Sequence, residues 1–344
     1  MLQQVPGAAQ AQPIKTREQL IAFLGNKYAS IDTLTNSVVH QRLSWSVAKR
    51  AGLELYVRRD DLIDADLSGN KLYKLYGYLR HHQYNSPAAP VLSFGGAYSN
   101  HLHALACLGQ LLGLNCHAII RGQRPKQMSP TLVDLEARGM RLHFVSREAY
   151  RRRSEPAYVC SLLKQLALPE TSLVIPEGGD GELGLIGMRS IGRHLANQGW
   201  QHTVISAGTG TSFLGLAQGV AEALAKHSSI SALAQAQIPQ LWAVSALAAG
   251  DSIASKLRAA LAGRRLSWAC SNQWHAGGFA KLKPELSAFK CCFESETALA
   301  LDRVYTLKLF WALKHWIEAG LYRPGQRLLA IHTGGLQGNR SLVE

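Results

Sequence analysis

From about residue 90 onward, short runs of β-branched and other apolar residues alternate with longer runs whose apolar positions recur at helical spacing. The strand-like runs are PVLSF (90–94), NCHAIIR (115–121), MRLHFVS (140–146), SLVIPEG (172–178), HTVISAG (202–208), LWAVSA (241–246) and RLLAIHTGG (327–335). Between them, Ser99 to Leu112, Thr131 to Arg138, Glu182 to Asn197 and Thr211 to Ala225 read as helices. Such alternation builds parallel sheet covered by helices on both faces, so the expected fold class is α/β.

Four strand-to-helix junctions are glycine-rich: FGGAYSNH (94–101), PEGGDGELG (176–184), SAGTGTSFLG (206–215) and HTGGLQG (332–338). Ligands of open α/β sheets bind at the carboxyl ends of strands, so four such ends imply one shared crevice. At 344 residues, with 47% hydrophobic and 17% charged residues, the chain can bury a full core, and its length suggests two domains. No apolar run is long enough to cross a membrane, and a reducing cytoplasm suits six cysteines without a C-x-x-C pair, which also offer no zinc site. The net charge of +14 is spread along the chain apart from Arg151, Arg152 and Arg153, with no aromatic interleaving. That distribution suits anionic small molecules rather than specific nucleic-acid binding.

SAGTGTSFLG has the composition of an anion cradle: glycines let backbone N–H groups turn inward, Thr209 and Thr211 add hydroxyls, and a helix follows. It fits neither a Walker loop nor G-x-G-x-x-G. Upstream, Lys71 follows Ser68, Gly69 and Asn70 at the opening of a helix carrying Leu72, Leu75 and Leu79. A lysine in the first turn faces the positive end of the helix dipole, which favours the free amine that attacks a carbonyl.

Taken in order, SGNKLYK (68–74), SFGGAYSNH (93–101), PEGG (176–179), SAGTGT (206–211), LDRVYTLK (301–308) and IHTGG (331–335) make the combination specific. The chain resembles the pyridoxal-phosphate enzymes of the 1-aminocyclopropane-1-carboxylate deaminase and D-cysteine desulfhydrase family, over roughly residues 40 to 340. The resemblance implies the tryptophan-synthase-β type fold (fold type II), with a small α/β domain (75–183) inserted into a larger cofactor-binding domain (1–74 and 184–344). It also implies a cytoplasmic homodimer acting on a small amino acid, with pyridoxal 5'-phosphate as cofactor and no metal. By position, Lys71 is the lysine that attaches the cofactor, Lys74 contacts its phosphate, and Asn100 its ring hydroxyl. Ser99, Asn100 and His101 face the substrate carboxylate; Ala207, Gly208, Thr209, Gly210 and Thr211 form the phosphate cradle. Tyr305 lies beside the substrate, Thr306 falls at the pyridine nitrogen, and His332 flanks the cofactor.

Several positions depart from the family pattern. Thr306 stands where the deaminase has glutamate, Arg303 replaces a proline and Leu307 a glycine, and the loop HAGGFAKLKPEL (275–286) offers Phe279 rather than a second tyrosine. A hydroxyl at the ring nitrogen makes a weaker electron sink than a carboxylate, which suits loss of a β-substituent better than opening of a cyclopropane ring. The expected activity is therefore D-cysteine desulfhydrase-like elimination giving a 2-oxo acid and ammonia, with ring opening, racemisation or dehydration, or a non-catalytic binding role, as alternatives.

Overall fold

The computed structural model describes residues 14–226, 238–248, 250–278 and 281–341. Among them the strands are β1 (His40–Arg42), β2 (Glu54–Arg58), β3 (Val91–Gly95), β4 (Cys116–Arg121), β5 (Arg141–Val145), β6 (Leu173–Ile175), β7 (His202–Ala207), β8 (Gln240–Ser245), β9 (Ser267–Ser271) and β10 (Arg327–Ile331). All seven strand-like runs form strands. The additional β1, β2 and β9 carry weak signals: β1 is a three-residue polar edge, β2 (ELYVR) ends in a buried arginine, and β9 (SWACS) is a partly exposed edge.

These strands form two sheets. One is four-stranded and wholly parallel, in the order β5-β4-β3-β6, and comes entirely from the stretch between Val91 and Ile175. The other has the order β1-β2-β10-β7-β8-β9 and is parallel except where β1 pairs with β2. Parallel order needs crossovers, and the helices between the strands supply them. The largest core cluster runs beneath both sheets, from Leu75 and Leu105 through Ile120 to Phe213 and Ile331.

Three helices, Asn70–Asn85, Glu182–Leu195 and Thr211–Lys226, stack side by side in this core. Glycine sets their spacing. A Cβ at Gly187 would lie 2.1 Å from the Tyr73 carbonyl oxygen, and one at Gly219 would lie 2.0 Å from that of Arg189, so the backbones touch directly. The segment leading into the first helix is fixed by Arg58, fully buried at the end of β2. Its guanidinium donates to Asp60 (2.9 Å), to Tyr73 Oη (2.8 Å) and to the Thr35 carbonyl (3.1 Å). Burial pushes the Asp60 carboxyl up to about 6, although Arg58 opposes this.

Candidate active site

Where β10 ends against the start of helix Asn70–Asn85, the chain turns through Gly69 at φ +78° and ψ −163°. A Cβ there would lie 1.9 Å from the Thr333 carbonyl oxygen, so only glycine fits. Gly69 N–H donates to the Asp60 carbonyl (2.8 Å) and Asn70 N–H to the Thr333 carbonyl (3.4 Å), tying the helix start to the sheet. Asn70 donates through Nδ2 to Ser212 Oγ (2.7 Å) and accepts from Lys71 Nζ at Oδ1 (2.9 Å). Lys71 is thereby aimed at the crevice, with its Nζ 5.5 Å from the Tyr305 ring centroid. Burial, opposed by Asp302, lowers its pKa to about 8, so a free amine is accessible near neutral pH.

Beyond β7, the residues Ala207 to Gly210 line a small hollow together with Lys71, Lys74, Ser212, Tyr305 and Thr333. Gly210 takes φ +83° so that the loop can wrap inward ahead of helix Thr211–Lys226. Thr211 does not line the hollow. Its hydroxyl lies 2.9 Å from Thr209 Oγ1 and hydrogen-bonds the Asp180 carboxylate, which Lys256 also holds (2.9 Å). Lys256 further donates to the Thr209 carbonyl (3.1 Å), fixing the loop from outside. Lys74 is only 3% exposed, and its Nζ has no hydrogen-bond partner among the described residues. Burial and the charge of Lys71 push its pKa down, a cost that a bound anion would relieve.

The third wall follows β3. Ser99 caps helix Asn100–Leu112, its Oγ accepting from Leu102 N–H (3.2 Å), which leaves the hydroxyl proton free to donate outward. Asn100 accepts from Gln337 Nε2 at Oδ1 (2.9 Å). His101 is buried, with Nε2 2.9 Å from Ser93 Oγ and Nδ1 without a partner; burial and the two lysines hold it neutral. Ser99, Asn100 and His101 line one cleft of about 400 Å³ with Lys71, Tyr305 and Gly208.

Of the residues expected from the sequence, the crevice thus unites Lys71, Lys74, Ser99, Asn100, His101, Ala207, Gly208, Thr209, Gly210 and Tyr305. It does not include Thr306, which is fully buried with its hydroxyl on Asp302 Oδ1 (2.8 Å), as part of a cap in which the Asp302 carboxylate accepts from the N–H groups of Val304, Tyr305 and Thr306. Thr333 does line the crevice, with its hydroxyl 3.3 Å from Ser206 Oγ. That residue stands in the IHTGG motif, so its signal was present, but nothing local distinguished it from Thr306. His332 is also off the crevice: Nε2 bonds the Ala300 carbonyl (2.8 Å) and Nδ1 accepts from Gly334 N–H (3.3 Å). Phe279 lies outside the described residues. Asp66, His103 and Cys107 bring ligand atoms within 4.8 Å of one another, but Arg17 (3.1 Å) and Arg138 (2.9 Å) already neutralise Asp66.

No family model matches the chain. It is 28% identical, over 83% of its length and 73% of the relative's, to the bifunctional D-cysteine desulfhydrase/1-aminocyclopropane-1-carboxylate deaminase, mitochondrial, of Arabidopsis thaliana. It is 25% identical to the D-cysteine desulfhydrase of Yersinia pestis, over 90% of its own length and 94% of that protein's. The crystal structure of an ACC deaminase homologue superposes with a TM-score of 0.70 at 23% identity, covering 88% of this chain and 90% of that one. These likenesses bear out the family resemblance and the α/β fold expected from the sequence.

Proposed function

We propose that this chain, a relative of the D-cysteine desulfhydrase and 1-aminocyclopropane-1-carboxylate deaminase enzymes, is a pyridoxal-phosphate-dependent lyase that removes a β-substituent and ammonia from a small amino acid. With D-cysteine and water the products are pyruvate, hydrogen sulfide and ammonia. The observation that carries this reading is the convergence of two lysines, partly buried Lys71 aimed into the cleft and buried Lys74 unpartnered beside a glycine cradle. That donor set fits pyridoxal 5'-phosphate: an amine for its aldehyde, Lys74 and the N–H groups of Gly208 to Gly210 for its phosphate, and the Thr333 hydroxyl for its ring nitrogen. When bound, the cofactor supplies an electron sink for negative charge developing at the substrate α-carbon.

The residues of the chain do the rest. The free proton of Ser99, the Asn100 side chain and the N-terminal end of helix Asn100–Leu112 receive the substrate carboxylate. Lys71 Nζ, whose hold on its own proton burial weakens, accepts the α-proton. Burial and Asp302 raise the Tyr305 pKa, so its phenol stays protonated in the cleft and can donate to the leaving group. Neutral His101 keeps positive charge away from Lys71 and Lys74. The same reading makes the protein a cytoplasmic homodimer in which residues 75–183 form the smaller, inserted unit; the four-stranded sheet lies wholly within those bounds. Borohydride reduction followed by peptide mapping should label Lys71, and Lys71→Ala should abolish release of 2-oxo acid from D-cysteine. A label on another lysine, or full turnover by the variant, overturns the assignment.

A further inference from the structure

Beside the amino-acid cleft lies a second hollow of about 340 Å³, lined by Arg121, Arg147, Tyr150, Arg151 and Arg153. Arg121 and Arg153 also line the cleft that contains Lys71 and Tyr305, so the two spaces share a wall. The cluster is built by neighbouring strand ends. Arg121 closes β4, while the short helix Arg147–Arg151 follows β5, which pairs with β4. It contains part of the one basic run, Arg151 to Arg153, that stood out in an otherwise evenly charged sequence.

Among the described residues Arg121, Arg147 and Arg151 have no carboxylate partner, and Arg153 pairs with Glu177 alone (2.8 Å). Positive charge therefore exceeds negative charge around the hollow. Tyr150 adds a directional group: it is 2% exposed, and its hydroxyl has no partner at hydrogen-bonding geometry. The Arg153 guanidinium lies 4.9 Å from its ring centroid. Burial and the Glu177 carboxylate raise its pKa, so it remains an O–H donor. The Glu177 carboxylate lies beside this hydroxyl, and the planar guanidinium forks around the hollow suit an oxyanion that accepts several hydrogen bonds at once.

We propose that the substrate carries a second anionic group on its side chain, a carboxylate, sulfo or phosphate group, and that Arg121, Arg147, Arg151 and the Tyr150 hydroxyl receive it while the Ser99–Asn100 corner holds the α-carboxylate. This rests on the lyase reading and narrows it, because a small uncharged β-substituent would leave the arginine hollow empty. Arg152 serves as the internal control, since it pairs with Glu155 (3.0 Å) and does not line the hollow.

The test is calorimetric titration of the cofactor-loaded protein with both enantiomers of serine, aspartate, cysteate and O-phosphoserine, alongside 2-oxo acid release from D-cysteine and β-chloroalanine. At least one anionic amino acid should bind tenfold or more tightly than serine. The Arg121→Gln/Arg151→Gln double variant should bring that ratio close to one, whereas Arg152→Gln should preserve it. The rank order among aspartate, cysteate and O-phosphoserine identifies the anion. Equal binding of serine and all three anions, or a preference that survives the double variant, overturns the proposal. An arginine-dependent preference in a protein that releases no 2-oxo acid from any of these amino acids, the preferred anionic one included, supports the hollow and overturns the lyase reading instead.

Discussion

Replacing Lys71 with methionine should make the protein more stable at neutral pH, although it removes the residue assigned to the chemistry. The folded chain holds the Lys71 amine in a place where burial lowers its pKa from 10.5 to about 8. That difference corresponds to about 3 kcal/mol of penalty on the charged amine, as an upper bound. Methionine removes the penalty and eases the repulsion that Lys71 exerts on Lys74. It also removes the 2.9 Å bond to Asn70 Oδ1, worth about 1 kcal/mol, so the net gain at pH 7 is about 1–2 kcal/mol. The sign depends on pH in a defined way. Below pH 8 both folded and unfolded chains carry the proton, and the penalty is fully present. Between about 8 and 10.5 the folded chain sheds it first, so wild-type stability rises with pH relative to the variant; above 10.5 the advantage of methionine is gone. Urea unfolding of cofactor-free protein at pH 7, 8.5 and 10, with both chains compared at equal m-value, measures this directly. A variant less stable than wild type at pH 7, or an advantage that does not shrink by pH 10, refutes the reasoning.

Two other substitutions separate positioning from contact. Thr306→Val removes the hydroxyl that bonds Asp302 and should cost about 1–3 kcal/mol in unfolding free energy while leaving the cofactor absorption band in place; Thr333→Val should move that band with little loss of stability, and the reverse pattern would return the ring-nitrogen role to Thr306. Gly69→Ala puts a Cβ onto the Thr333 carbonyl at a backbone conformation costing about 1–3 kcal/mol in strain alone, so cofactor affinity should fall at least tenfold in a titration; unchanged affinity would mean that the helix start can move without disturbing Lys71.

What the sequence determined by itself follows from signals carried within a few residues. Hydrophobic period and strand-ending glycines specify the seven parallel strands, because each depends on local backbone preference and on one buried face. The order of motifs carries the family resemblance, and with it the expectation that Lys71, Lys74 and the Ala207 to Thr211 loop share one site. The tertiary structure decided the matters that depend on convergence. Thr306 and Thr333 are both threonines in the quoted motifs, yet one turns toward Asp302 and the other toward the crevice, since β10 runs beside β7 and the Thr333 carbonyl just beyond its end packs on Gly69. The arginine hollow exists only because β4 and β5 pair in parallel register and bring Arg121 against a helix some 26 residues later in the chain. The edge strands β1 and β9 escaped detection because a half-exposed, short strand gains its hydrogen bonds from a distant partner rather than from its own pattern.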